Sequence, residues 1–495
     1  MLNSLHVSTL VTVEIGYYQQ GEVMWKFNGG QAGYADVLVG LQYGDEGKAK
    51  IIDLLTPNYD IVARFNGGAN AGHTIVTSAG KFALQQVPSA VTHPTLALYI
   101  GSGCVVNPEK LIREIEELER AGLSVRPRLQ ISPRASLVQP HHILIDSLTG
   151  ADVGTTKNGI GMAYADRARR MHRGAVVNVR LGDLLSSLSE VIERAKYNLS
   201  VAAKEYEVAE PGPEVIESFA TACRAVLSLV ARDPQVLVKS VARGARVLFE
   251  GAQSVMLDVQ RGTVPFVTSS ATLVGAAYTG GDLPPKYHRK SIGVAKLLMS
   301  RVGRGPFASE FGGSQSEAYC MEDGGAKHTR EFEKKSYNVV AFLRSTDPFE
   351  LGVALRMLSH EYGTVTGRPR RIGALDLAQL REVVADNGID ELYLTKADLL
   401  REFADTATGT IPVVTQYEFP KSELPISTPV TQRDFEVLKA VYAQYPAFSQ
   451  SIEGVRSYEG LPPEIQQLIA DIEKVTGARV VGIGTGPARD ELVLR

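Results

Sequence analysis

Val37-Leu-Val-Gly-Leu-Gln-Tyr-Gly-Asp-Glu-Gly-Lys-Ala-Lys50 is the stretch on which the fold turns. A short apolar run, Val37 to Leu41, reads as a buried strand and breaks into Gly44-Asp45-Glu46-Gly47-Lys48. A helical pattern follows, with Ile51, Ile52, Leu54 and Leu55 as its apolar positions. Strand, glycine-rich turn and helix start make a phosphate cradle, because glycines let the backbone approach an oxyanion and the free N–H groups favour negative charge. Lys48 adds a point charge. The spacing is not that of the common nucleotide-binding loop GxxxxGK[ST]. The adjacent carboxylates of Asp45 and Glu46 are unusual in a loop suited to anions. They imply a task such as holding Mg²⁺ or taking a proton; the bland alternative is a turn with two solvated acids.

A second segment of the same kind follows at Asp60-Ile-Val-Ala-Arg-Phe-Asn-Gly-Gly-Ala-Asn-Ala-Gly-His-Thr74, a strand entering a glycine-rich loop that carries Asn70 and His73. Further on, Leu96 to Gly101 reads as a buried strand. A helix opens at Asn107-Pro108, buries Leu111, Ile115 and Leu118, and closes at Gly122. Helical stretches over about 186–208 and 213–232 flank Glu210-Pro-Gly-Pro213, and Val247-Leu-Phe returns to a strand. Strands alternating with helices give an α/β fold: a large, mainly parallel central sheet with helices on both faces and ligands at the strand carboxyl ends. The run Gly324 to Lys335 reads as a charged surface segment.

Composition sets limits around this frame. The chain has 495 residues, 44% hydrophobic and 22% charged, with a formal net charge of −3, all ordinary for a globular enzyme. No basic excess points to nucleic acid, and no apolar run is long enough to cross a bilayer. Cys104, Cys223 and Cys320 are few and widely spaced, without a metal-ligand pattern, as expected of reduced cytosolic thiols. Residues 1–34 precede the first strand of the cradle without a signal-peptide pattern, and Met24 is an alternative start. They are read as an extension of unknown role, and 35–495 as the catalytic domain.

The two glycine loops together resemble adenylosuccinate synthetase, the ligase that joins aspartate to a purine monophosphate. Supporting matches run in order along the chain: Gly154-Thr-Thr156, Phe249-Glu-Gly-Ala-Gln253, Pro265-Phe-Val-Thr-Ser-Ser270, Ser300-Arg-Val-Gly-Arg-Gly-Pro306, Gly363-Thr-Val-Thr-Gly-Arg-Pro-Arg370, Leu394-Thr-Lys-Ala-Asp398 and Gly484-Thr-Gly-Pro487. The resemblance implies a cytoplasmic, homodimeric ligase of purine biosynthesis with the family's GTP-binding fold, using GTP as co-substrate and Mg²⁺ as metal. It makes Asp45 the base and His73 the donor that stabilises phosphoryl charge, with Lys48 and Gln253 completing the catalytic set. It places Asn70, Thr156, Thr268, Gln253 and Arg368 at the monophosphate, with Arg170 reaching a partner subunit's phosphate site. It assigns Thr366, Gly367, Arg368 and Arg370 to L-aspartate. GTP falls to Gly44, Glu46, Gly47, Lys48, Arg370, Lys396, Asp398, Thr485 and Gly486. Asp45 and the Gly72 carbonyl would hold the metal.

Asp398 suits GTP on chemical grounds, since a carboxylate accepts two hydrogen bonds from the guanine edge and adenine lacks that donor pair. Arginines suit aspartate, whose two carboxylates their planar forks bind bidentately. Departures from the family pattern occur at Tyr43, Ala49, Ala271-Thr-Leu-Val-Gly-Ala276 and Ala374. They are expected near the base and ribose pocket, as in an enzyme acting on (d)GMP, although retention of Asp45 favours IMP. A catalytically inactive GTP-binding regulator would not need Asp45, Lys48 and His73. A simple GTPase or kinase would not need the clamp of Arg368 and Arg370.

Overall fold

The computed structural model describes residues 14–18, 22–26, 32–70, 72–77, 80–150, 154–363, 367–419 and 429–495. Its central sheet has nine strands. In chain order they are β1 (Tyr34–Gly40), β2 (Ile61–Arg64), β3 (Ala97–Ile100), β4 (Leu129–Ile131), β5 (Arg246–Ser254), β6 (His288–Lys296), β7 (Glu391–Thr395), β8 (Arg479–Gly484) and β9 (Leu492–Leu494). They lie in the order β9-β8-β7-β6-β1-β5-β2-β3-β4. Every adjacent pair is parallel except β8 with β9.

The parallel arrangement explains the near-continuous apolar strands, because a sheet covered on both faces buries every side chain. Along β1 the two faces are separated residue by residue. Ala35, Val37 and Val39 join one core, while Leu38 joins the other. Helix α1 (Lys48–Leu55), which follows the glycine loop, buries Ile51, Ile52 and Leu55 on the Leu38 side. Helix α2 (Pro108–Arg120) adds Leu111, Ile115 and Leu118 to that face. Its Asn107 cap accepts a hydrogen bond from the Lys110 amide, as the sequence implies. The helical excursion comprises α3 (Pro140–Thr149), α4 (Ile160–Arg169), α5 (Leu188–Glu205) and α6 (Pro213–Val226). The last two are shorter than the pattern predicts: α5 stops at Tyr206, and α6 tightens into a 3₁₀ turn at Leu227–Leu229.

Two segments differ from their sequence reading. In the N-terminal extension, residues 14–18 pair antiparallel with 22–26, and Trp25 is buried edge-on against Tyr99 of β3. At that point the extension shares the core of the sheet. The run Gly324 to Lys335 is not simply surface. Glu333 is fully buried and takes the guanidinium of Arg356, with Nη2 on Oε1 at 2.6 Å, while the Tyr362 hydroxyl donates to the same carboxylate. Arg356 comes from α7 (Pro348–Ser359) and is itself about 1% exposed. Alternating charges hid a buried ion pair whose partner lies 23 residues away.

Candidate active site

The loops that leave β1, β5, β6, β7 and β8 at their carboxyl ends converge where the strand order reverses around β1, which is where open parallel sheets bind ligands. The first loop is shaped by three residues of positive φ, Gly44 (φ 97°), Asp45 (φ 58°) and Gly47 (φ 89°). Of the nine non-glycine residues with positive φ among the described residues, four, Asp45, Arg170, Gln253 and Lys396, are candidate site residues. Such strain collects at functional sites.

The adjacent acids have separate fates. Asp45 is exposed at the loop tip, with Oδ2 2.9 Å from Nη2 of Arg370. Glu46 turns inward. Its carboxylate accepts from the Gln42 and Gly44 amides, the Ser254 hydroxyl and Lys48 Nζ, the last at 2.8 Å. Gly40 makes room for this, since a Cβ there would lie 2.2 Å from Glu46 Oε2. Burial pushes the Glu46 carboxyl up, but the Lys48 and Lys296 charges and these hydrogen bonds outweigh it and hold it below the usual range. The side chain of Glu46 therefore clasps the loop. Of the two acids, Asp45 alone is exposed.

Among the residues expected at the monophosphate, the Gln253 amide donates to the Asn70 carbonyl at 3.4 Å, and Asn70 Oδ1 accepts from the Gly68 amide. Gln253 Oε1 is buried with no hydrogen-bond partner among the described residues. An orphaned acceptor of this kind is costly unless a ligand completes it. Thr156 is exposed and linked to Asn158, and Thr268 is held by its amide on the Leu257 carbonyl at 2.8 Å. Gly72 is exposed; His73 begins the strand His73–Thr77, with its side chain outside the described residues. Arg170 is exposed at the carboxyl end of α4.

Helix α4 is fixed by a cluster beneath it, where His141 and His142 of α3 both reach Asp166 Oδ2, at 2.9 and 3.1 Å. This trio has the composition of a metal site. Its tautomers exclude that use, because His142 Nδ1 accepts the Gln139 amide and its Nε2 must then carry the proton that Asp166 receives. Burial holds His142 neutral, down to about 4.

Beside the loops expected to take the triphosphate, Lys50 of α1 donates to the carbonyls of Gly486 and Glu491, at 2.7 and 2.9 Å, and ties the first loop to the one after β8. The Thr395 hydroxyl donates to the Glu46 carbonyl at 2.9 Å and ties in β7. Asp398 lies beyond β7, and its burial pushes its carboxyl up against the opposing charges of Lys396 and Lys50. Thr485 is buried, with its hydroxyl unpaired among the described residues. Gly367 adopts a left-handed φ of 65°, Arg368 is exposed, and Thr366 lies outside the described residues. Sequence reasoning missed Lys50, Lys296 and Glu361. Lys296 ends the apolar run of β6 fully buried, with Nζ on the Gly44 carbonyl at 2.9 Å and Ser300 Oγ at 2.6 Å. A lysine closing a buried strand opposite the glycine loop was its one visible signal.

The departures from the family pattern are largely internal. Tyr43 is buried edge-on against Phe307 and under the Arg301 guanidinium, with its hydroxyl on Gln379 at 3.2 Å. Ala49 and Ala374 are buried as well. These three side chains are buried among protein atoms, whereas Gly275 of the Ala271–Ala276 departure is exposed.

A mainly parallel α/β sheet with a glycine-rich loop and an outward acid paired to an arginine at its carboxyl edge is the frame of a ligand-binding enzyme. The adenylosuccinate synthetase family model matches residues 37–493. Adenylosuccinate synthetase 2 of Cupriavidus pinatubonensis is 47% identical over 464 residues, covering 94% of this chain and 98% of its own. Adenylosuccinate synthetase of Caldicellulosiruptor bescii is 36% identical, covering 92% and 98%. Among solved structures, fully ligated adenylosuccinate synthetase from Plasmodium falciparum superposes with a TM-score of 0.78 at 30% identity, over 94% of this chain and 100% of that one. Cyanophage S-2L succinoaminodeoxyadenylate synthetase, bound to dGMP and dATP, shares the fold at a TM-score of 0.54 and 17% identity, over 94% and 96% of the two chains. The chain belongs to the adenylosuccinate synthetase family, and it is a ligase of purine nucleotide biosynthesis.

Proposed function

We propose that the chain joins L-aspartate to the 6-position of IMP at the expense of GTP, forming adenylosuccinate. The observation that carries this reading is the pairing of an outward Asp45 with Arg370 at 2.9 Å, at the junction of the anion loop and the arginine-rich loop. A 6-oxopurine holds its oxygen tightly, so replacement requires activation. Asp45 takes the ring N1 proton, and the freed electron pair makes O6 nucleophilic toward the γ-phosphorus. GDP departs, and the 6-phosphoryl purine remains. The aspartate amine then attacks C6 and inorganic phosphate leaves with the oxygen. Lys48 and the His73 donor stabilise charge on the transferred phosphoryl, the usual logic of phosphoryl transfer.

Gln253 Oε1, buried and unpaired, accepts from the purine edge. Asn70, Thr156 and Thr268 take the 5′-phosphate. Arg368, Gly367 and Thr366 hold aspartate together with Arg370, and Lys396 and Asp398 read guanine while Thr485 and Gly486 close over it. The exposed Asp45 carboxylate and the Gly72 carbonyl are hard oxygen donors that fit Mg²⁺, whereas the occupied carboxylate of Glu46 does not. The metal, when bound, offsets triphosphate charge. A cytoplasmic setting fits three buried thiols without a disulfide.

Purified protein with Mg²⁺ and aspartate, assayed by mass against IMP, dIMP, GMP and dGMP with GTP or ATP as donor, is expected to make adenylosuccinate from IMP and GTP. Product from dGMP alone, or equal rates with ATP, overturns the substrate or donor assignment respectively.

Arg170 is the basis for proposing a homodimer with shared sites. It is exposed at a helix end that the histidine clamp fixes, so it is well placed to reach outward. Asp45→Asn and Arg170→Leu proteins, each inactive alone, are expected to regain activity when mixed under conditions of subunit exchange. One site of a mixed dimer then inherits both native residues. Exchange without recovery assigns Arg170 to its own chain.

A further inference from the structure

Glu361 is buried at the centre of the site, yet it belongs to none of the loops assigned a ligand. Its backbone is fixed through both its amide and its carbonyl. Helix α7 ends at His360 in a left-handed cap (φ 56°), and the Glu361 amide returns to the Arg356 carbonyl at 3.1 Å. Its own carbonyl accepts the Arg370 amide at 3.0 Å, across the base of the aspartate loop.

The carboxylate is shared. Lys396 Nζ sits 2.9 Å from Oε1, and Arg370 Nη1 sits 2.7 Å from Oε2, which also accepts the Ser300 hydroxyl at 3.0 Å. Ser300 Oγ in turn receives Lys296 Nζ, which also holds the Gly44 carbonyl immediately before Asp45. Arg370 closes the circuit through Nη2 on Asp45. One anion thus serves two ligand-facing cations from different loops. Burial pushes the Glu361 carboxyl up, but Lys296, Lys396 and Arg370 override it and keep it ionised well below the usual range.

We infer that Glu361 is a positioning residue that couples the guanine and aspartate subsites by holding Lys396 and Arg370 on one carboxylate. When guanine draws on Lys396, more of the Glu361 charge is left to Arg370, which is then held in the aspartate clamp and shared less with Asp45. The coupling is reciprocal, as linkage between two binding sites must be. The inference rests on reading Lys396 and Arg370 as guanine and aspartate residues.

Glu361→Gln keeps the shape and removes the charge. In the full-length protein it is expected to raise KM for GTP and for aspartate together, each by roughly tenfold, the usual scale for losing one charge-assisted hydrogen bond. KM for IMP should stay within about twofold and kcat within about threefold, a smaller change than loss of a reacting group would cause. The wild-type KM for aspartate should fall as GTP rises, and in Glu361→Gln it should not. A calorimetric titration with GTP alone should show the same weakening.

A loss confined to kcat, an equal rise in all three KM values, or unchanged constants overturns the inference. If Glu361→Gln does not fold, Lys396→Met serves instead. It should leave KM for aspartate low and no longer dependent on GTP although Lys396 lies outside the aspartate loop, and a KM for aspartate that still falls as GTP rises overturns the coupling. If the wild type makes no adenylosuccinate, the ligase reading fails by itself, and the GTP titration of the variant still decides the role of Glu361.

Discussion

Asp45→Asn is expected to retain its fold and its affinity for GTP while losing turnover by roughly 10²–10⁴, the range for removal of a general base. The side chain stands exposed at the tip of the loop, and the left-handed backbone beneath it suits asparagine as well as aspartate. The loop is held by Glu46, Lys48, Ser254 and Lys296, none of which Asp45 supports. The lost pair with Arg370 is partly exposed on the Asp45 side, so it contributes no more than about 1 kcal/mol to stability. Single-turnover phosphate release and steady-state adenylosuccinate formation should both collapse, while GTP titration stays near wild type. A kcat within a few-fold of wild type would remove Asp45 from the proton transfer.

The second large effect concerns stability. Arg356→Met should cost about 3–5 kcal/mol, because it leaves Glu333 charged and buried with the Tyr362 hydroxyl as its remaining donor among these groups. Arg356 Nη1 also holds the Arg370 carbonyl at 3.1 Å, so the aspartate loop should loosen along with the core. The denaturation midpoint measures the first effect and KM for aspartate the second. Replacing both partners, Arg356→Met with Glu333→Leu, should recover most of the stability, since paired removal leaves no orphan charge. A midpoint unchanged in Arg356→Met would show that the pair contributes nothing.

Much of the fold is legible because the decisive residues are local. Apolar strand, glycine turn and helix periodicity around Val37–Leu55 lie within a few turns of chain, and the structure follows them closely. The loops at the carboxyl edge are legible for the same reason. Buried charge is not. Glu46 and Asp45 look alike in sequence, and what separates them is whether Ser254 and Lys48 reach the carboxylate. Glu333 and Glu361 look like surface acids until Arg356 and Lys396 fold against them from 23 and 35 residues away. Lys296 depends on Gly44, 252 residues earlier. Spacing carries no record of such partners. The same limit explains Tyr43, whose companions Phe307 and Gln379 are equally remote.

The strand order also constrains how the molecule is made. Strand β1 lies at the centre of the sheet between β5 and β6, yet those strands begin at Arg246 and His288. At a synthesis rate of ~5–20 residues per second, about 10–40 s pass between release of β1 and arrival of β5. Through that interval Val37, Leu38 and Val39 have no neighbouring strand on either side, and their edge is open to any extended segment nearby. The ribosome therefore exposes the anion loop long before anything can hold it in shape. Yield in the cell should depend on holdase chaperones more than final stability suggests, and slowing translation before Arg246 should increase aggregation of the newborn chain.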